Sequence, residues 1–533
     1  MTTVKDATFD VLRRTGLTTI FGNPGSTEVS LLTGLPDDLT FTLALHEGSV
    51  VGMATGWAIG HDAPALAVLH TTAGLGNAVG AIATARVNRV PLVVLVGQQD
   101  RRHLALEPFL AGRLTGLAGD YPVHVDQPLR AQDVPGAVAG AFHRAATYRG
   151  PALVVVPMDD WAAPYEHETL AAPARLVRAE AAGDVAPLAA MLAGARSPAI
   201  VAGAGVRAWD PLVALAERLG CPVWQESFGA RAGFPQDHPQ YAGVLPADRP
   251  RLRTALAGHD VVLAVGAPVF RQYPYAPGPL VEPGTLVALV TDDPGEAHRS
   301  PADLACLASP AAACAALLEL VPPATTPARP VRAAVERAAV EWVGAPVGGR
   351  PLRPAHVLAE LAARLPEDVV LVEETPSSRP DLHRLMPARN PLGFVSAAMG
   401  GLGFALPAAV GLRMALPTRP VVAVVGDGSA LYGVQALWSA AHYRVGALFV
   451  VLANGRYAVM DRLADNHGGK APWPAFDEVS LAGLARSLGC EARRIEDHAG
   501  LTAVLDEVVP SLAHREEPLL LDVSVTVDAH FQP

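Results

Sequence analysis

Stretches built almost wholly from Val, Leu, Ile and Ala recur along this chain, each about a strand long and each followed by glycine or a polar residue. PALAVLH (64–70), PLVVLVG (91–97), PALVVVP (151–157), DVVLAVGAPV (260–269) and PVVAVVGDG (420–428) are examples. A strand with one wet face alternates apolar and polar side chains, so an unbroken apolar run belongs in a sheet covered on both faces. Helix-like stretches fall between the runs. The alternation predicts an α/β architecture of mainly parallel sheets covered by helices.

In the first 160 residues the phrase repeats plainly. TTIFG (18–22) runs into NPGSTEVSLLTGL, FTLAL (41–45) into HEGSVVGMATGWAIG, and PALAVLH into TTAGLGNAVGAIATARV. The polar residues at these turns are Ser26, Glu47 and His70. Each stands just past the carboxyl end of a strand, the edge at which open α/β sheets hold ligands. Leu43, Ala44 and Leu45 read as the end of a strand, and Val50, Val51, Met53, Ala54, Trp57 and Ala58 as the apolar side of a helix. Glu47 is thus an ionisable group on a binding edge, at the mouth of an apolar segment. Capping of its own helix is the bland alternative.

At 533 residues the chain has room for three or four domains of roughly 150 residues. A second unit begins near residue 183 and holds PAIVAGAGV, CPVWQES, DVVLAVGAPV and LVALVTDD. Its GAGVRA (203–208) is a loose relative of the dinucleotide-binding turn. Glycine after a buried strand is common in any α/β domain, so a structural turn is the leading reading there and a nucleotide site the other. VPPATTPARP (321–330) is Pro-rich and reads as a linker. A third α/β unit runs from about residue 350 to the end.

Composition narrows the class. The chain is 50% hydrophobic and 17% charged, with a net charge of −11 and no Lys/Arg tract, which argues against nucleic acid as a partner. Cys221, Cys306, Cys314 and Cys490 are scattered without a CxxC pair and read as reduced, buried small residues. MTTVKDATFDVLRRTG lacks the basic-then-apolar layout of a signal peptide, and no apolar run reaches the roughly 18 residues of a membrane span. A soluble cytoplasmic protein is expected.

The third unit holds the most informative motif. PVVAVVGDGSALYGVQALWSAAHYRVGALFVVLANGRY reads as strand, helix, strand, with Asp427 and Asn454 27 positions apart at the two strand ends. In a βαβ unit that spacing brings both oxygen side chains to one sheet edge, on neighbouring strands. A carboxylate with an amide carbonyl suits a hard cation such as Mg²⁺ or Ca²⁺. Gly426, Gly428 and Ser429 open the following helix, whose N–H groups can hold a phosphate. Either residue alone reads as a cap or a turn; together they describe a metal bridging a diphosphate to protein.

GDG followed by Asn at this interval resembles the signature of thiamine-diphosphate enzymes. FGNPGSTE (21–28), HE (46–47), LHTTAG (69–74), GQQ (97–99), DDW (159–161), GHDVVLAVGAPVFR (258–271) and AAMGGLGFALPAA (397–409) match further blocks. The chain resembles the thiamine-diphosphate-dependent 2-oxo-acid decarboxylase superfamily and, within it, the benzoylformate decarboxylase family. The resemblance covers essentially the whole chain. It implies a pyrimidine-binding domain (1–178), a central Rossmann-like domain (183–322), a linker (323–348) and a diphosphate-binding domain (349–533).

Roles follow from the resemblance, position by position. Glu47 would hydrogen-bond the aminopyrimidine ring, with Asn23, Pro24, Gly25 and Asn77 on the same side of the cofactor. Ser26 matches a serine that contacts the substrate carboxylate, and His70 a histidine that relays protons. Gly401 and Leu402 would support the cofactor in its bent form. Ser377, Gly428, Ser429 and Tyr457 would lie at the diphosphate end. Asp427, Asn454 and the backbone carbonyl of Arg456 would hold Mg²⁺ or Ca²⁺. The family builds its site from two subunits, which implies a homodimer as the smallest active unit, and its precedent favours a tetramer. The implied reaction is non-oxidative decarboxylation of a small 2-oxo acid, an aromatic one being expected, to an aldehyde and CO₂.

Departures limit the substrate. The family's second catalytic histidine would fall in GAPVFRQYPYAPG, where Tyr273 stands and no histidine occurs. With an ordinary pKa of roughly 10, tyrosine donates a hydrogen bond but shuttles protons poorly near neutrality. An aromatic expected before AAMGG falls at or near Ser396, and Val459, Met460 and Leu463 occupy a segment that mixes residue types in the family. A bulkier or polar-substituted substrate is implied, with Asp461 and Arg462 as polar contacts or as part of a solvated loop. The alternative reading is a carboligase or lyase making or cleaving acyloins on the same scaffold. A cofactor-binding assembly subunit and an oxidoreductase using the 203–208 turn are weaker rivals.

Overall fold

The computed structural model describes residues 2–166, 180–324, 331–344, 346 and 352–527. Three six-stranded sheets carry the fold. In spatial order the first is Thr40–Leu43, Thr19–Asn23, Ala65–His70, Leu92–Gln98, Pro151–Pro157 and His124–Asp126. The second is Leu304–Leu307, Leu286–Thr291, Val261–Val265, Pro198–Ala202, Val223–Gln225 and Tyr241–Val244. The third is Val395–Ser396, Val370–Glu374, Val421–Gly426, Leu448–Ala453, Leu519–Ser524 and Glu491–Ile495. The described strand pairs are parallel, as the unbroken apolar runs require. Leu92–Gln98 and Pro151–Pro157 are buried along their whole length.

By contacts the chain divides into two compact units, one of Met1–Leu176, Ala397–Ile495 and Pro510–Ser524, the other of Val177–Ser396, Glu496–Val509 and Val525–Pro533. In the first unit the helix Val4–Thr15 is closed at its start by a Thr3–Asp6 capping box and at its end by Gly16 at φ 75°. Its Phe9, Val11 and Leu12 join Leu66, Leu95, Val138 and Val154 in one core cluster. In the second unit Val201, Val262, Ala264 and Leu289 from three adjacent strands meet Leu252, Leu256 and Phe270.

The helix Glu47–His61 departs from expectation. Instead of one apolar side it is buried almost all round, Ser49, Gly52, Thr55 and Gly56 included. The reason is a second helix, Ala405–Ala415, laid against it within the same unit. A Cβ on Gly52 would sit 2.6 Å from Pro407, and one on Gly56 or Gly411 would collide with the carbonyl oxygen of Ala408 or Met53. Side chains of one hydrogen atom let the two backbones touch.

Other boundaries differ too. The strand read as ending at Leu45 ends at Leu43. Part of the linker, 325–330 with 345 and 347–348, lies outside the described residues, but Arg332–Val343 inside it is helical. The four cysteines form no disulfide; Cys221, Cys314 and Cys490 are buried, whereas Cys306 is partly exposed. Among the described residues no helix is long and apolar enough to cross a membrane.

A Gly→Ala change on an exposed helix face gains up to about 1 kcal/mol. Gly411→Ala should instead cost about 1–3 kcal/mol through overpacking and lower the melting temperature. A variant melting at or above the parent would contradict the helix contact.

Candidate active site

Glu47 is the first residue of its helix, whose cap is His46, with Nδ1 accepting the Gly48 N–H at 3.0 Å. A helix N-terminus favours a carboxylate there. Glu47 is buried, and burial of a carboxylate is costly unless hydrogen bonds replace water. Two amides do so. Asn23 Nδ2, at the end of the strand Thr19–Asn23, donates to Oε1 at 3.1 Å, and Asn77 Nδ2, from the helix Thr71–Val87, donates to Oε2 at 3.1 Å. Three residues expected at the site therefore meet around one carboxylate.

A second cluster forms at the end of the strand Ala65–His70. His70 Nδ1 lies 2.9 Å from Thr27 Oγ1 and 3.0 Å from Glu28 Oε2. Thr27 donates its hydroxyl to Glu28 Oε1, and the Gly25 N–H donates to Glu28 Oε2 at 2.8 Å. A carboxylate beside Nδ1 holds the proton there and leaves Nε2 as the basic nitrogen. Gly25 has to be glycine, because a Cβ would overlap the His70 ring. Thr71, next in the chain, is held at φ 33°, a strained value for a β-branched residue and one that tends to mark functional sites. Glu28 was missed in the sequence. Its signal was its place in FGNPGSTE, two residues after Ser26, in a turn read only as the start of a helix. Ser26 and Pro24 are exposed on the same turn.

The third cluster stands on two strands of the third sheet that belong to the first unit. Val421–Gly426 pairs with Leu448–Ala453 in a register that sets Gly426 opposite Leu452, so Asp427 and Asn454 emerge side by side. Asp427 is buried; Oδ1 accepts the Gly428 N–H at 2.8 Å, and Oδ2 accepts those of Asn454 and Gly455 at 2.7 and 2.6 Å. Burial pushes its carboxyl above the ordinary range, against the pull of these three N–H groups. Asn454 Oδ1 accepts the Arg456 N–H at 3.0 Å. Ser429 is buried, and Tyr457 covers Gly428 so closely that a Cβ there would sit 2.6 Å from the ring. The ring leans on Phe476, with centroids 5.1 Å apart.

Two expectations about this cluster change. The helix opened by Gly426, Gly428 and Ser429 is a single turn, Asp427–Ala430, with the next helix at Ala436–His442. The Gly428 N–H is committed to Asp427 and does not wait for a phosphate. Among the described residues no three His, Cys, Asp or Glu side chains group to hold a metal. Asp427 and Asn454 present side-chain oxygen atoms on this edge, a donor type that suits a hard cation.

The remaining residues are dispersed. The loop carrying Gly401 and Leu402 rests on the end of the helix Thr71–Val87. The Ala398 N–H donates to Asn88 Oδ1 at 2.9 Å, and a Cβ on Gly401 would lie 3.1 Å from Thr84. Thr84 and Asn77 are about 10 Å apart along that helix, so Leu402 and Glu47 meet it at different levels. Leu402 is exposed. Asp461 accepts from Trp473 Nε1 at 2.9 Å, a structural role. In the second unit, Ser377 is partly exposed just after the strand Val370–Glu374, and Tyr273 is exposed. The buried Ser396 hydroxyl is engaged by Glu373 at 2.8 Å and Arg379 at 2.5 Å.

The 203–208 turn is also accounted for. The second sheet runs outward in both directions from Pro198–Ala202 and Val261–Val265, and the turn sits at that switch point. Its N–H groups are already taken. Ala204 donates to Glu226 Oε1 at 2.8 Å, Gly205 to the Gly266 carbonyl at 2.8 Å and Val206 to the Gly203 carbonyl at 3.0 Å. A structural turn is the reading this geometry favours.

Comparison with known proteins agrees with the three-sheet architecture. Models of the thiamine pyrophosphate enzymes match residues 2–118 (N-terminal TPP binding domain), 185–317 (central domain) and 377–523 (C-terminal TPP binding domain). A benzoylformate decarboxylase from Pseudomonas aeruginosa is 39% identical over 539 residues, covering 98% of this chain and 99% of its own. The structure of a thiamine diphosphate-dependent 4-hydroxybenzoylformate decarboxylase from Rhodococcus jostii RHA1 superposes with a TM-score of 0.92 at 36% identity, covering 99% of this chain and 100% of its own. That of a benzoylformate decarboxylase from Polynucleobacter necessarius gives 0.91 at 31% identity, with 100% of both chains covered. The chain belongs to the thiamine pyrophosphate enzymes and is a carbon–carbon lyase of the benzoylformate decarboxylase-like kind.

Proposed function

We propose that this enzyme uses thiamine diphosphate and Mg²⁺ to decarboxylate an aromatic 2-oxo acid, releasing an aldehyde and CO₂. The observation that carries the reading is the Glu47 carboxylate held between Asn23 and Asn77. Bound thiamine diphosphate supplies the electron sink that departure of CO₂ demands. Glu47 exchanges a proton with the aminopyrimidine ring, and the two amides fix its direction. His70, oriented by Glu28 and Thr27, moves a proton at the substrate oxygen through Nε2. Ser26 binds the substrate carboxylate, with Pro24 and Gly25 shaping the turn beside it. Asp427, Asn454 and the Arg456 carbonyl would hold the cation, Gly428, Ser429, Ser377 and Tyr457 would serve the diphosphate end, and Gly401 and Leu402 would support the bound cofactor. Tyr273 donates a hydrogen bond where relatives are expected to carry a histidine.

A homodimer is the smallest active unit in this reading, with Glu47 of one subunit serving the cofactor anchored by Asp427 of the other, and tetramers built from such pairs. The hydrogen-bond partners of Glu47 and of Asp427 share no residue, which is in keeping with two half-sites. Leu45, Met399, Leu402 and Tyr432 expose apolar side chains that a second subunit or the cofactor would cover. A cytoplasmic location accords with four cysteines that form no disulfide. The lack of histidine in the Tyr273 segment favours acyloin formation as a secondary outcome of the same chemistry.

Glu47→Gln should lower kcat by about 10²–10⁴-fold while thiamine diphosphate still binds; full turnover would sink the proton-exchange role. Asp427→Ala should lose both Mg²⁺ and cofactor in a calorimetric titration, and normal binding would misplace the anchor. Supplied with pyruvate, branched aliphatic 2-oxo acids and ring-substituted benzoylformates, the enzyme should release CO₂ fastest from an aromatic member. Acyloin formation without CO₂ release would transfer the assignment to the ligase reading.

A further inference from the structure

Glu226 is a buried carboxylate that the chemistry above leaves unused. It follows the strand Val223–Gln225, and Gly203 and Gly229 make room for it, since a Cβ on either would come within 2.5 or 2.9 Å of Oε1. Oε1 accepts the Ala204 N–H; Oε2 accepts no hydrogen bond. The ion facing Oε2 is Arg271, with Nε 3.7 Å away. Arg271 also donates through Nη1 to the Phe228 carbonyl at 3.3 Å. Phe228 is held at φ 56°, a costly conformation for an aromatic residue, so strained backbone supplies part of the grip. Arg271 belongs to the segment 266–279 that carries Tyr273. The same segment is held by Tyr273 N–H to the Ala247 carbonyl at 3.0 Å and by Arg249 Nε to Gln272 Oε1 at 3.1 Å.

We propose that Glu226 is a positioning residue, holding Arg271 and with it the segment that presents Tyr273 to the reaction. The proposal rests on the reading of Tyr273 given above.

Burial raises the Glu226 carboxyl to about 7, Arg271 and the Ala204 N–H opposing it. The other ionisable groups that face it, both on the helix Pro294–Arg299, are Glu296, which raises it further, and Arg299, which lowers it. A folded value above the ordinary 4.5 means that its contribution to stability is full below about pH 4.5 and lost as pH rises through about 7. The ion pair exists above that pH and dissolves below it, so the hold on segment 266–279 should loosen on acidification.

The test is amide hydrogen exchange of the full-length enzyme, read in peptides from segment 266–279, for the parent, Glu226→Gln and Arg271→Gln at pH 8 and pH 5.5. Exchange in Glu226→Gln should exceed that of the parent several-fold at pH 8 and match it at pH 5.5, whereas Arg271→Gln, which also loses its bond to the Phe228 carbonyl, should exceed the parent at both. A cooperative melt of Glu226→Gln at pH 8 shows that it folds; Arg271→Gln breaks the same pair should that variant fail to fold. Turnover of benzoylformate with thiamine diphosphate and Mg²⁺ supplies a cycle. Glu226→Gln should lower kcat about tenfold beside Tyr273 and less than twofold in a Tyr273→Phe background. Unchanged exchange at pH 8, or an equal kcat loss in both backgrounds, overturns the positioning role. An unaltered kcat in Tyr273→Phe with raised exchange in Glu226→Gln instead overturns the reading of Tyr273 on which the proposal stands.

Discussion

A carboxylate taken out of water must be given donors, and this structure meets that demand repeatedly at the carboxyl ends of parallel strands. Strands buried on both faces carry charge only where it is paired, as Asp522 is with Arg494 at 2.6 Å, so most polar chemistry gathers near the strand ends. Glu28, Glu47, Glu226, Glu373 and Asp427 all sit in such places and all are buried. Donors differ from site to site, and they set the behaviour of each group. For Glu373, burial pushes the carboxyl up, but Arg379 at 2.6 Å and two donors from Thr375 bring it to about 2. Glu226, with its arginine 3.7 Å away and one N–H, stays near 7. The first is a permanent anion; the second is poised.

Glu47 and Asp427, both in the first unit, are held by different kinds of donor. Glu47 receives two side-chain amides, which turn with their own rotamers. Asp427 receives backbone N–H groups from two strand ends and is fixed as rigidly as the sheet itself. The proton exchange and cation anchoring proposed for these two residues call for this difference. The contact between the helices Glu47–His61 and Ala405–Ala415 ties the two supports together within the unit, and its glycines are what permit the approach.

Much of this was legible in the residues. Continuous apolar runs located the strands because only double-sided burial tolerates them, and the 27-residue interval from Asp427 to Asn454 located a shared edge because a βαβ crossover has that length. Less was legible where an outcome depends on a partner distant in the chain. The all-round burial of Glu47–His61 follows from a helix some 350 residues later, which no local periodicity records. The helix expected after Gly428 stops after one turn, and a helix stands inside the linker 323–348, both set by packing more than by composition. Glu28 closes the FGNPGSTE block and Glu226 carries no motif, but only the fold brings them to His70 and Arg271.

The central claim is that Glu47 and Asp427 complete one site from two chains. Co-expression of differently tagged Glu47→Gln and Asp427→Ala subunits, followed by isolation of the mixed oligomer, tests it most directly. If each site draws one half from each chain, the hybrid contains intact sites, and CO₂ release should return to a sizeable fraction of the parent rate although either variant alone is inactive. A mixed oligomer as inactive as its parents would show that both residues must act within one chain, and would contradict the account.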